Sequence, residues 1–268
     1  MATCQIIGEV LNRPSRFSLA ALVLFMACGF AVAVAAQDRE AAFLAGETRD
    51  CPGCNLDGAN LKMRDLTDAD LSGAILSGVN MHRAILANAN LSGAKIDLSN
   101  LNKTILRRAD LSGADLSETL LYEADASGAN FTGANMFRVL AGRIRLIRAN
   151  LQEANMHYAF FEHGFLNKAN LSGAILDDAS FKGARMNGAD LSGVVGERTF
   201  IPEADLQSAN LTGAVLKSAN LYGSNLTEAN LTNADLSNAT LFGANLFETI
   251  RTGTVFSGAT MPDNTIHP

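Results

Sequence analysis

Large apolar residues recur along this chain at a spacing of five whose phase never slips. They fall on residue numbers ending in 1 or 6, from Leu56, Leu61, Leu66, Leu71 and Leu76 through Met81, Leu86 and Leu91 to Phe256 and Met261. Around Leu206 to Leu246 the phrase is cleanest, reading ADLQS-ANLTG-AVLKS-ANLYG-SNLTE-ANLTN-ADLSN-ATLFG-ANLFE. Two positions before each centre stands a small residue, usually Ala, as at Ala59, Ala69, Ala74, Ala84 and Ala89; only Arg64 and Ile144 are clearly too large for that slot. A helix buries residues at spacings of three and four and a strand at two, so a period of five fits neither. One small and one large inward position per unit describe a coil that turns a corner once per unit. Gly is frequent two residues after the centre (Gly73, Gly93, Gly113, Gly133, Gly173, Gly193, Gly213), where a turn with positive φ places it. Short fixed periods of this kind mark a solenoid, and the fold predicted is a β-solenoid.

The pattern A-(D/N)-L-x-x resembles the pentapeptide-repeat family over residues 52–261. The resemblance implies an all-β fold: a right-handed quadrilateral β-helix with four units, hence about twenty residues, per coil. At strand spacings of about 4.8 Å, ten such coils would make a rod of about 50 Å. Residues twenty apart then stack. One column reads Asp70, Asn90, Asp110, Asn130, Asn150, Asn170, Asp190, Asn210, Asn230, a polar ladder repeated in every coil and therefore structural.

Residues 1–36 stand outside the repeat. Arg13 and Arg16 precede the apolar run Leu19 to Ala36, and Val34 and Ala36 occupy the −3 and −1 positions of a cleavage site before Gln37. That is the layout of a secretory signal peptide, and it places the mature protein outside the cytoplasm, in the periplasm. The run is also long enough for an uncleaved anchor, the one route to a membrane association; a lipoprotein reading through Cys28 fits less well, because the apolar run continues past it. Residues 37–54 are expected to form an N-terminal cap, with a short helix over Asp38–Asp50 offering Ala42, Phe43 and Ala45 to cover an open coil end. The cap ends in Cys51-Pro52-Gly53-Cys54. Redox chemistry of the thioredoxin type needs a βαβ context and a zinc site needs a second ligand pair; the sequence has neither, and a structural disulfide between Cys51 and Cys54 is expected in an oxidising compartment. Cap cysteines recur in exported members of the family that the chain resembles. The solenoid is expected over 55–261 and a short tail over 262–268, with Pro262 suited to ending strand pairing.

The repeat is least regular from Leu120 to Leu166, where Ala126 and Ala141 take centres and Val139-Leu140-Ala141-Gly142-Arg143-Ile144 hardly reads as a unit, and again over Val194–Pro202, where Gly196 takes a centre. Breaks in an otherwise regular pattern are where function is placed. In the outward position before the centre, Leu120, Leu140, Phe160 and Phe200 fall in one column, and Ile175, Val195 and Val215 in the preceding one. They form either an apolar partner surface or lateral packing between coils. Arg107, Arg108, Arg138, Arg143, Arg145 and Arg148 form the one basic concentration; Glu118 stacks one coil below Arg138 and Glu123 below Arg143, which reads as a salt-bridged, solvated face rather than a nucleic-acid surface. His157, Glu162 and His163 match no metal-ligand spacing.

Composition adds little chemistry: 48% hydrophobic residues, no Trp and a net charge of −6. No phosphate-binding loop, G-x-S-x-G or H-E-x-x-H motif occurs. The expectation is therefore a non-enzymatic protein without cofactor, metal or small-molecule substrate: an exported scaffold that binds a protein partner or itself through its irregular middle coils. The alternative is a DNA mimic that binds a type II topoisomerase, as some cytoplasmic members of the resembled family do. The signal segment and the Asn-diluted ladder speak against it.

Overall fold

The computed structural model describes residues 38–268; the signal segment expected over 1–36 lies outside the described residues. The chain divides into two compact units, Met1–Thr48 and Arg49–Pro268. In the first, helix α1 spans 38–45 and ends at Gly46, whose positive φ of 82° closes it, with Glu47 N–H donating to the Ala42 carbonyl at 2.9 Å. Phe43 is buried, Ala42 half-buried and Ala45 exposed.

The second unit is a solenoid whose parallel bridges all join residues twenty apart: Asn55 to Ile75, Asn60 to Asn80, Asp65 to Ile85 and Asp70 to Asn90. These four columns are its first, second, third and fourth faces. Each strand is a single outward residue; the sheet exists only between coils.

Backbone hydrogen bonding explains the repeat's alphabet, because each five-residue unit has five N–H groups to satisfy. The centre donates to the next coil (Leu56 N–H to Ile75 O, 2.7 Å), as does the second corner residue (Gly58 to Ser77 O, 2.8 Å). The small residue closes the turn (Ala59 to Leu56 O, 3.0 Å), and the outward residue donates to the coil before (Ile75 to Cys54 O, 2.8 Å). Only the first corner N–H is left over. The side chain of the outward Asn or Asp accepts it: Asp57 N–H meets Asn55 Oδ1 at 3.2 Å, Ser92 N–H meets Asn90 Oδ1 at 3.1 Å, and Thr212 N–H meets Asn210 Oδ1 at 3.1 Å. The same carboxamides also link coil to coil, as from Asn130 Nδ2 to Asp110 Oδ1 at 2.9 Å. The polar ladder is structural.

Every second corner residue from Gly53 to Gly258 has a φ between 53° and 71°, which is the third position of a type II turn. None of the non-glycine occupants is Val, Ile or Thr, the side chains that tolerate this conformation least. Inside, the centres and small residues are almost all fully buried. Where Ser or Thr fills the small slot, its hydroxyl donates to a carbonyl of the coil before, as from Ser99 to Leu76 O at 2.8 Å, Thr119 to Ile96 O at 2.8 Å and Ser224 to Ile201 O at 2.6 Å, or, at Thr249, to Leu246 O of its own turn at 2.8 Å. No buried side-chain polar atom among the described residues lacks a partner.

The irregular blocks keep the same backbone as the rest, and the difference is absorbed by volume. Ile144, too large for its slot, is fully buried above the small centre Ala141, and Gly164 lies over it one coil later. A Cβ on Gly164 would meet Phe161 O at 2.9 Å and Leu166 Cδ1 at 3.0 Å. At Gly196 the space of the missing centre is taken by Thr199, whose hydroxyl donates to Gly196 O at 2.8 Å.

Both ends differ from the sequence expectation. The corner pattern starts at Cys51, so the Cys51–Cys54 segment is the first turn of the solenoid rather than the end of the cap. Residues 262–268 are not a free tail: the chain turns back after Met261, and Ile266 pairs antiparallel with Thr260, with His267 N–H on Ala259 O at 2.8 Å. Pro262 lacks a donor yet still accepts from Gly243 N–H at 3.1 Å.

Candidate functional site

On the second face the ladder runs Asn100, Leu120, Leu140, Phe160, Ser180, Phe200, Asn220. Leu120, Leu140, Phe160 and Phe200 are 36%, 46%, 45% and 39% exposed, whereas Ser180 is sunk between its two phenylalanine neighbours at 5%. On the first face Ile175 and Val195 are exposed and Val215 is half-buried, bridged in sequence between Asn155 and Asp235. The predicted residues thus lie on two adjacent faces as two strips, and the strip on the second face is the longer.

These residues forgo a hydrogen bond. An apolar outward residue offers no acceptor for the first corner N–H two residues on, which every Asn or Asp in that slot supplies. At two corners a neighbouring coil substitutes: Asn102 Oδ1 accepts from Tyr122 N–H at 2.8 Å and Asp177 Oδ1 from Glu197 N–H at 2.6 Å. The fold itself therefore gives no reason for Leu140, Phe160 or Phe200 to replace the usual Asn.

Second corner residues of the preceding turn reach sideways onto this face. Glu118, Arg138 and Tyr158 line a shallow groove with Leu140 and Phe160. The Arg138 guanidinium lies over the rings of Phe137 and Tyr158, 5.0 and 5.8 Å from their centroids. His157 packs edge-on to Tyr158 at 4.0 Å and stacks with Phe137 at 5.9 Å. Further along the same rim, Arg198 donates to both carboxylate oxygens of Asp178 at 2.9 and 2.7 Å. These bonds hold the Asp178 carboxyl below the usual range. On the opposite rim Ser180 Oγ donates to Glu162 Oε1 at 3.1 Å. The expected ion pair of Glu118 with Arg138 does not form: both border the groove, but the guanidinium is drawn onto the aromatic rings.

The other arginines behave largely as solvated neighbours. Glu123 lies 3.4 Å from Lys103 and 4.0 Å from Arg143, and Asp125 takes Arg107 at 2.7 Å and Arg145 at 3.7 Å. Burial pushes the Asp125 carboxyl up, but the Ser127 hydroxyl and Arg107 outweigh it and the net shift is downward. Sequence reasoning did not see that Arg145 and Arg185 stack on either side of Phe165, at 5.5 and 5.1 Å. Spacing of twenty was the signal available. The same spacing would have gathered Phe137 and His157, residues of one corner in successive coils.

Cys51 and Cys54 are disulfide-bonded across the first turn, with an S–S distance of 2.00 Å, and both are buried. No group of His, Cys, Asp and Glu among the described residues is placed to hold a metal ion, and none of their helices is long and apolar enough to cross a membrane.

A family model for pentapeptide repeats matches eight copies, over residues 65–102, 104–139, 161–193 and 203–238, more than half of the chain. The chain belongs to the pentapeptide-repeat family. The two gaps longer than one residue inside this pentapeptide-repeat match, 140–160 and 194–202, contain Leu140, Phe160, Val195 and Phe200. Among solved structures the chain is similar to HetL, a pentapeptide repeat protein involved in heterocyst differentiation regulation from the cyanobacterium Nostoc sp. strain PCC 7120. Identity is 32%, over 84% of this chain and 96% of HetL, with a TM-score of 0.62. Its likeness to QnrB1, a plasmid-mediated fluoroquinolone resistance protein, is 18% identity over 60% of this chain and 88% of the other, TM-score 0.50, and is one of fold alone. No curated protein sequence matches the chain.

Proposed function

We propose that this pentapeptide-repeat protein is an exported, non-enzymatic scaffold, wound in the right-handed sense its family resemblance implies, that binds a protein partner or itself through the second face of its middle coils. The observation that carries this is the exchange of a hydrogen-bonding Asn for an exposed apolar side chain at Leu140, Phe160 and Phe200, in a slot where the fold gains nothing from it. A feature that works against the local rule without structural compensation is explained by what it contacts outside the chain. Export rests on the layout of Arg13, Arg16 and the apolar run to Ala36.

Topoisomerase mimicry is the weaker reading for this surface. Mimicry needs a continuous negative rod, and the third face carries Arg145 and Arg185 around Phe165. The test is the hydrodynamic mass of the native protein in its own extract, with and without Leu140→Asp and Phe160→Asp. A drop to the monomer mass in the folded variants supports the reading, and an unchanged mass refutes it. Fractionation with mass determination of the N-terminus tests export: a periplasmic species starting at Gln37 is expected, and a full-length cytoplasmic one overturns it.

A further inference from the structure

We infer that the partner of the second face is a second copy of this chain, laid antiparallel, with the two-fold axis passing at Phe160. This rests on the reading of that face as an interaction surface, and it deepens that reading by naming the occupant.

Register selects the partner. Successive outward residues on the face are one coil apart, about 4.8 Å. A two-fold axis across the rod at Phe160 therefore sets each coil above it against the coil equally far below it in the other copy. Leu140, exposed, then meets Ser180, the one sunken residue of the strip, and Leu120 meets Phe200. A knob faces a hole, and apolar faces apolar. Along the rim, Glu118 meets Arg198 and Arg138 meets Asp178, opposite charges in both cases, while Tyr158 lies at the axis against its own copy. On the other rim Lys182 of one copy faces Gly142 of the other, which leaves it room, and stands one coil from the two Glu162 that meet at the axis, so each carboxylate has a cation beside it.

Other registers lose these matches. Shifting the axis by one coil towards Leu140 sets Leu140 on itself and Ser180 against Asn100, and shifting it the other way sets the hollow at Ser180 on itself, so the knob no longer finds the hole. A parallel pair, with its axis along the rods, sets Leu140 on Leu140 and the hollow at Ser180 on itself, so no knob meets the hollow. Because the self-complementary patch spans five coils, about 24 Å, the interface belongs to the small, reversible class, and its charged rim makes it salt-sensitive.

The test uses protein made from the full chain with Cys4→Ser and Cys28→Ser, so that introduced thiols report alone. Sedimentation is expected to show a dimer that dissociates on dilution and with added salt. Under mild oxidation Phe160→Cys should cross-link to itself, Phe200→Cys alone should not, and Phe200→Cys mixed with Leu120→Cys should. Residues 200 of the two copies lie four coils apart in this register, about 19 Å, beyond disulfide reach. Leu140→Asn, which keeps the repeat's own choice at that slot, should weaken association at least about tenfold without loss of fold. Self-cross-linking of Phe200→Cys overturns the antiparallel register. A monomer at every concentration, whose complex with another protein still depends on Leu140, overturns self-pairing and leaves the interaction surface intact. A Leu140→Asn chain indistinguishable from the parent in both measurements dismisses the surface as well.

Discussion

A single corner isolates what the backbone demands of this repeat. Gly93 stands at the second corner position with a φ of 62°, and a Cβ added there would have nothing within 4 Å. Packing therefore plays no part in a substitution, and only backbone conformation decides it. An L-residue in the left-handed region costs about 1–2 kcal/mol, least for Asn and most for a β-branched side chain. Replacing Gly also removes freedom from the unfolded chain, which offsets about 0.4–1 kcal/mol. Gly93→Asn should therefore be near neutral, while Gly93→Val, at the upper end of that range, should cost about 1–1.5 kcal/mol net. The turn itself is held by Gly93 N–H on Ser112 O at 2.9 Å and Ala94 N–H on Leu91 O at 3.0 Å. Long repeat arrays are not reliably two-state, so the assay is native-state amide exchange of the coils from Leu71 to Ser112. Opening there should quicken by about tenfold for each 1.4 kcal/mol in Gly93→Val, and remain unchanged in coils far along the rod. Equal exchange in the Val and Asn variants would refute the claim that positive φ, rather than space, selects Gly at this position.

Three further outcomes follow from the same geometry. Leu140→Asn supplies the acceptor missing at the Gly142 N–H and should leave stability unchanged or raise it by about 0.5–1 kcal/mol, measured by native-state amide exchange of the coils around Gly142 at a dilution where the chain is monomeric. The carboxyls of Asp65, Asp125, Asp178 and Asp235 are held below their ordinary values in the folded chain; their contribution is thus complete above the unfolded value near about pH 4 and is lost as pH falls through the depressed folded values. Denaturation midpoints should hold steady down to about pH 4.5 and fall below about pH 3.5, whereas raised folded values would reverse the sign and make the midpoints rise as pH falls through that range. Reduction of Cys51–Cys54, which closes a loop with a sequence separation of 3, should cost about 2 kcal/mol by loop entropy. Because repeats couple mainly to neighbours, amide exchange should quicken in the first coil and not near Leu171.

The fold was legible because one unmet N–H per unit writes itself into the sequence. An Asn or Asp precedes the centre to accept it, a small residue must follow the turn, and neither requirement survives an insertion, so the phase is visible over the whole rod. The corners were legible only in part. Gly marked many of them, yet Arg138, Tyr158 and Glu118 adopt the same positive φ, and nothing in a five-residue phrase says that such side chains reach back over the adjacent face. That is why Glu118 and Arg138 read as an ion pair when the guanidinium in fact lies on Phe137 and Tyr158. Volume trades were hidden for a related reason. Ile144 looks misplaced until Ala141 and Gly164 are seen beneath and above it, and those residues are neighbours only through the coil.

Two kinds of irregularity look alike in sequence and differ in the folded chain. Ala141 with Ile144, and Gly196 with Thr199, are exceptions inside the core, and each is cancelled by a neighbour; the core remains filled and the backbone keeps its course. Leu140, Phe160 and Phe200 are exceptions on the outside, and nothing in the chain cancels them. A solenoid with a regular backbone can change its outward residues without altering its core, since the two sets alternate along every unit. Selection for contact is therefore free to act on one face while another, the fourth, keeps Asp or Asn from Asp70 to Asn230 and obeys the hydrogen-bonding rule throughout. The sunken Ser180 within the strip fits that view: a uniform run of apolar residues would satisfy hydrophobic burial alone, whereas a hollow one coil from a knob specifies where the opposing surface must sit.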